Sequence, residues 1–263
     1  MPIELPWPVN FITGALLFVL GVCLGSFANV LIYRIPRKLN FVNGRSFCPS
    51  CGQTLAAWDL IPVLSWLFLR GRCRRCKAGI SARYPLVELF AGALALLSYA
   101  QFGFSWLCLS AFAMLYLLLV LAAIDLDTME IPDGLIIALA VPALALIFLT
   151  PHADWQARLL THGLGLIAVA LPLFLITLFV PNGFGGGDIK FMAVCGAGLG
   201  WPLTLVAFFI ALLLGGGYGI FALATKRLNR KSNFAFGPAL AAGLALSLLY
   251  GQNILDWYLS VFF

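Results

Sequence analysis

Long unbroken apolar runs separated by short polar breaks organise this chain from end to end. Runs of about 18 to 22 apolar residues, enough to cross roughly 30 Å of hydrocarbon as helix, lie near residues 11–33, 85–102, 105–124, 131–150, 160–181, 203–224 and 234–251. A weaker, glycine-rich run covers 189–201. The pattern predicts an all-α membrane protein of about eight transmembrane helices, the sixth short, because a helix satisfies its backbone hydrogen bonds internally. A membrane barrel would need alternating strands, and these Leu/Ala/Phe stretches do not alternate.

Composition agrees with this reading. The chain is 62% hydrophobic and 10% charged, with a mean hydropathy of +1.02 over 263 residues, far too apolar for a soluble domain of that length. Charge then orients it. Ten of the sixteen Lys and Arg residues lie between Arg34 and Arg83, and four more between Lys226 and Lys231, which places both segments in the cytoplasm. No Lys or Arg precedes the first run and a cluster follows it, the order of a retained span rather than a signal peptide. Threading eight spans from an outward N-terminus returns the chain to the cytoplasmic face at 125–133, 182–188 and 226–233, and puts the Lys-poor loop 151–157 outside. The formal charge of +6 reports orientation and contact with membrane lipid, and calls for no nucleic acid.

The only sizeable polar segment follows the first span. It holds Cys48-Pro-Ser-Cys51, 21 intervening residues, and Cys73-Arg-Arg-Cys76. Each Cys-x-x-Cys turn aims two sulfurs at one point, so the pair suits a single tetrahedral thiolate site for a structural metal, with Arg72, Arg74 and Arg75 favouring the thiolates. Disulfides fit a cytoplasmic loop poorly, and a redox motif comes once rather than twice. Zinc is the preferred metal, and the ligand set alone leaves iron open. Cys23, Cys108 and Cys195 stand singly in apolar runs, as buried packing residues do.

Only ten Asp and Glu residues exist, and four of them, Asp125, Asp127, Glu130 and Asp133, crowd into one short stretch where the third span ends. Asp188 directly follows Gly185-Gly186-Gly187 where the sixth helix should begin. A carboxylate at membrane depth is costly and is a functional candidate by default. Two close carboxylates share a proton, supplying a base to activate water and an acid for the carbonyl or leaving amine, the requirements of peptide hydrolysis. Against this, Asp133 after Pro132 reads as a helix N-terminal residue, Asp127 and Glu130 as solvated loop residues, and Asp188 also as a helix cap. Lys190 either tunes the acid or snorkels to the interface. Intramembrane acids also mark ion paths, so a transporter is one rival reading, and an assembly scaffold docking through the cysteine insert is another. His152 and His162 form no His-Glu-x-x-His motif, and neither Gly-x-Ser-x-Gly nor Asp-Thr/Ser-Gly occurs.

An ordered series of motifs then resembles the type IV prepilin peptidase family: GSFANVLIYRIP at 25–36, CPSC at 48–51, WDLIPVLSWL at 58–67, RGRCRRC at 70–76, ISARYPLVEL at 80–89, IDLDTMEIPD at 124–133, GGGDIK at 185–190 and FGP at 236–238. The residue before this last motif is Ala235, where many relatives carry Pro. The resemblance implies a bifunctional leader peptidase and N-methyltransferase of the bacterial inner membrane, with Asp125 and Asp188 as the catalytic pair. It implies cleavage of type IV prepilins or pseudopilins after a glycine ending a basic leader, then methylation of the new N-terminus with S-adenosylmethionine. The expected organisation is a first transmembrane helix in 1–33, a cytoplasmic four-cysteine zinc insert associated with methyl transfer in 34–84, a transmembrane aspartic peptidase core in 85–251 and a C-terminal tail in 252–263. No Gly-x-Gly-x-x-Gly turn follows a strand, so the cofactor-binding residues are unknown, and the insert with Gly71, Arg72 and Glu88 is the place to look.

Overall fold

A computed structural model describes residues 6–151, 154–180, 184–225 and 234–262. The basic cluster Lys226–Lys231 and part of the loop 151–157, both of which orient the chain by charge, lie outside the described residues. Among the described residues there are helices and two isolated β-bridges, and no strand.

The chain divides into two compact units at Cys108/Leu109. In the first, α1 (Trp7–Arg34) and α3 (Arg83–Phe102) flank the polar insert, which carries a 3-10 turn at Ala57–Leu60 and the one-turn helix α2 (Leu64–Phe68). The two long helices meet through small residues. A Cβ on Gly21 would lie 2.8 Å from the Ala91 carbonyl oxygen, one on Gly25 2.6 Å from Glu88 Cα, and one on Gly92 2.6 Å from Val22 Cγ2. Removing side chains here lets two backbones approach without any help from a hydrophobic effect, which lipid does not supply. Asn10 and Tyr99 hydrogen-bond across the same interface.

The second unit takes in α4 (Trp106–Thr128) from Leu109 onward, then α5 (Asp133–Leu149), α6 (Trp155–Ala168), α7 (Ala170–Phe179), α8 (Gly186–Leu199), α9 (Trp201–Ala224) and α10 (Gly237–Phe262). Small residues again set the close contacts: Gly198 of α8 backs onto Ala143 of α5, where a Cβ would come within 2.9 Å of Cα. Polar groups are satisfied across helices. Ser110 donates to the Pro142 carbonyl at 2.9 Å, and the His162 ring nitrogen Nδ1 sits 2.7 Å from the Ala197 carbonyl. His162 is therefore a packing residue between α6 and α8.

Helix covers most of each of the eight expected spans, but among the described residues six helical stretches are long and apolar enough to cross a membrane: α1, α3, α4, α6 with α7, α9 and α10. The 17-residue α5 and the 14-residue α8 fall short, at about 26 and 21 Å on the helical rise. The chain is a multi-pass membrane protein on the strength of those six. Helix α10 continues to Phe262, through the residues expected as a C-terminal tail. Cys108 and Cys195 are buried as expected, whereas Cys23 is exposed. An apolar helix face toward lipid needs no burial to accommodate a thiol, and periodicity could not tell that face from a packed one.

Candidate functional site

The two conspicuous aspartates belong to the second unit. Asp125 sits in the last turn of α4 and is 5% exposed. Its Oδ2 accepts a hydrogen bond of 2.9 Å from the Gly237 N–H, at the first residue of α10. Helix N-termini carry unpaired N–H donors and a positive dipole end, so α10 aims its start at this carboxylate. Only glycine fits: a Cβ on residue 237 would lie 2.6 Å from Asp125 Oδ2. The Gly237-Pro238 pair opening an apolar run is a helix-start signal. Its part in the site is missing from the expectations drawn from sequence, because nothing local says which side chain the helix start faces.

Asp188 is the third residue of α8 and half-buried. Its Oδ2 accepts the Gly185 N–H at 3.3 Å, and its own N–H donates to the Gly185 carbonyl at 3.0 Å. The helix-cap role is thus present. It leaves the other carboxylate oxygen for other work, and Asp188 lies within electrostatic reach of Asp125. The segments bearing the two residues run side by side. Gly187 packs on Ile131, where a Cβ would come within 3.0 Å of Ile131 Cβ, and Lys190 Nζ pairs with Asp133 Oδ1 at 2.8 Å. That pair is exposed, so it orients more than it stabilises. Asp133 begins α5 after Pro132, as its sequence context suggests. Asp127 and Glu130 are exposed. Phe184 and Phe236, ring centroids 5.8 Å apart, are aromatic neighbours of the two helix starts.

The cysteine cluster lies in the first unit and is built from two matching loops. Cys48 N–H donates to Gln53 O at 2.9 Å and Gly52 N–H to Cys48 O at 2.8 Å. Twenty-five positions on, Cys73 N–H donates to Ala78 O at 2.8 Å and Lys77 N–H to Cys73 O at 3.1 Å. An isolated bridge closes each loop, Phe47 with Thr54 and Arg72 with Gly79. Each turn also passes through left-handed backbone just after its second cysteine, at Gly52 (φ +68°) and Lys77 (φ +60°).

All four Sγ atoms lie within 4.8 Å of one another. Tetrahedral zinc with Zn–S bonds of about 2.3 Å sets its sulfurs roughly 3.8 Å apart, and Cys48 and Cys76 Sγ are 3.8 Å apart. The donor set therefore fits the ion. The N–H groups of Cys51 and Ser50 pull the Cys48 thiol down to about 6. Against a hydrogen bond from Ala78, burial and the three neighbouring thiols push Cys76 up to about 11. Four thiols so close ionise unevenly, and a dication would remove that conflict. Arg74, expected to favour the thiolates, commits its Nε–H to Asp59 at 2.7 Å.

Comparison with known proteins agrees with this division. The family model for the bacterial peptidase A24 N-terminal domain matches residues 19–102, and that for the type IV leader peptidase family matches 112–220. A prepilin leader peptidase/N-methyltransferase of Bacillus subtilis is 37% identical, over 94% of this chain and 98% of the relative. One from Burkholderia pseudomallei is 36% identical over 90% of this chain and 85% of its own, and one from Aeromonas salmonicida 32% over 97% and 96%. No solved structure matches the chain. The chain therefore belongs to the type IV leader peptidase family, as an enzyme of the combined peptidase and N-methyltransferase kind.

Proposed function

We propose that this enzyme cleaves the basic leader of type IV prepilins or pseudopilins after a glycine, using Asp125 and Asp188, and then methylates the new N-terminus. The observation that carries the peptidase half is the buried Asp125 carboxylate, fixed by the Gly237 N–H and within electrostatic reach of Asp188. Two carboxyl groups so coupled hold one proton between them. The ionised member takes a proton from water, whose oxygen attacks the scissile carbonyl carbon. The protonated member donates to the carbonyl oxygen, and the proton then passes to the leaving amine as the C–N bond breaks. The Gly237 N–H holds one Asp125 oxygen in place, and the two carboxyl groups divide the roles of base and acid between them.

The positive-inside bias supports placing both aspartates at the cytoplasmic face of the inner membrane, with α5 and α8 completing an eight-helix passage. A substrate whose apolar helix stays in the bilayer and whose basic leader stays in the cytoplasm would then present its scissile bond at that interface. Zinc would be held by Cys48, Cys51, Cys73 and Cys76, where it would tie the two loops of the insert together. S-adenosylmethionine supplies an electrophilic methyl group when bound.

The test is cleavage of a prepilin-like substrate in detergent by the wild type, Asp125→Asn and Asp188→Asn, with S-adenosylmethionine present and products weighed by mass spectrometry. Each substitution should lower the cleavage rate by about 10²- to 10⁴-fold, and the wild-type product should be heavier by one methyl group. Near-normal cleavage by either variant would remove that aspartate from the chemistry.

A further inference from the structure

The short helix α2 turns its apolar face outward. Leu64, Leu67 and Phe68 stand at i, i+3 and i+4 on one side and are exposed, Phe68 by 83%. Ser65, Trp66 and Leu69 on the other side are half-buried against the interior of the insert. Trp58, 75% exposed, Leu60 and Ile61 extend the bare surface into the 3-10 turn that precedes α2. The stretch 58–69 holds one charged residue, Asp59, and its side chain is 9% exposed and paired with Arg74. An uncharged apolar surface of this kind marks a contact with membrane or protein.

Its depth is set by the two spanning helices of the unit. Helix α3 has 20 residues, about 30 Å on the helical rise, no longer than the hydrocarbon it crosses. Its first turns therefore lie at the hydrocarbon edge. Glu88, five residues after Arg83 and about 7.5 Å along the axis, accepts the Val63 N–H on Oε2 at 2.7 Å. On α1, Gly25 packs on Glu88, nine residues before that helix ends at Arg34, or about 13 Å. Val63, at the start of α2, is thus held below the ends of both spanning helices.

Both ends of α2 are fixed. Val63 takes φ +61°, a backbone conformation that a β-branched residue rarely adopts, and the Glu88 carboxylate holds its N–H there. At the other end Arg70 takes φ +51° and the Gly71 N–H returns to Trp66 O at 2.9 Å. The helix stops, and the exposed Arg70 and Arg72 follow the apolar face at once. Between these ends the Trp66 indole N–H donates to Ile80 O at 3.0 Å. Rolling α2 inward to bury its leucines would break these contacts.

We propose that Trp58–Phe68 is an interfacial anchor, which lays Trp58, Leu64, Leu67 and Phe68 into the acyl boundary of the bilayer and sets Arg70 and Arg72 at anionic lipid headgroups. Apolar faces of interfacial helices sit about 5–10 Å into that boundary, the depth at which Glu88 holds Val63. Trp favours the membrane edge, and cations beside an apolar face favour anionic lipid. A protein partner at this level would itself have to lie in the membrane. Cys73 is five residues past Phe68, so the anchor keeps the thiol cluster at the membrane surface.

The experiment places the full chain in vesicles of equimolar phosphatidylcholine and phosphatidylglycerol that carry a photoactivatable diazirine near the carbonyl end of one acyl chain. After irradiation, trypsin cuts at Arg45 and Arg70 and leaves 46–70 as one peptide, in which mass spectrometry locates the lipid adduct. Adducts should fall within Trp58–Phe68 as well as on α1 and α3. Leu67→Glu combined with Phe68→Glu should lower the yield on that peptide by about tenfold, while continued labelling of α1 and α3 shows that the variant is folded and inserted. A wild-type peptide free of adduct beside labelled α1 and α3 would overturn the anchor, as would an unchanged yield in the variant. A cross-link joining two copies through Phe68 would also overturn it, by assigning the face to a second copy of the chain.

Discussion

The two sites of this protein are built in opposite ways. The thiol cluster is made of loops that each close on themselves, with a cysteine N–H returning to a carbonyl five residues on in both cases. Asp125, Asp188 and Gly237 come from the starts and ends of three different helices, and no local hydrogen-bond pattern joins Asp125 to Gly237, 112 positions apart. Each closed loop fixes its own pair of cysteines, so only the approach of one loop to the other is left to the rest of the unit. A site assembled from helix ends does not, since every packing shift moves one partner against another. The contrast extends to glycine. Gly52 is needed for its backbone angle, and a methyl group added there would meet nothing within 4 Å, whereas Gly237 is needed because a carboxylate occupies the space.

That contrast is sharpened most by Gly237→Ala. The added methyl must push Asp125 away, and a displacement near 1 Å costs about 10²-fold in rate. Cleavage of a prepilin-like peptide should fall by that order, while zinc content, measured by atomic absorption, stays at the wild-type level. An unchanged rate would show that the Gly237 contact does not position Asp125.

Cys73→Ser breaks the comparison from the other side. Zinc content and methylation should fall by about tenfold or more, as loss of one thiolate opens a tetrahedral site, while cleavage stays within about threefold. Equal loss of both activities would mean that the insert is not a separable unit.

The smallest effect concerns the exposed acids around the aspartate pair. No Lys or Arg occurs among residues 124–134, so neutralising Asp127, Glu130 and Asp133 together should raise KM for a basic-leader substrate by severalfold at low salt. The effect should vanish as ionic strength screens exposed charge. A KM that did not respond, or responded equally at high salt, would remove attraction of the leader as the role of these residues.

Much of the molecule was legible from its residues. Apolar run length identified the helices, since only a helix hides its backbone in lipid without partners. The Cys-x-x-Cys spacing pointed to the four cysteines that the fold gathers, since a four-residue loop dictates where its two sulfurs point. Position at the ends of apolar runs also singled out Asp125 and Asp188 as candidates, with a helix cap as the rival reading of Asp188. What sequence could not convey was contact between distant helix ends. Gly237 became a site residue only when α10 was seen to aim its first N–H at Asp125. The short α5 and α8 remained indistinguishable from full spans by composition, because hydropathy records how apolar a run is but not where its helix stops. The depth of α2 was likewise invisible, because the bond that sets it joins Val63 to Glu88, 25 positions apart. Residue chemistry is written locally and was readable in the sequence, whereas the distances that decide which groups act together arise only when helices pack.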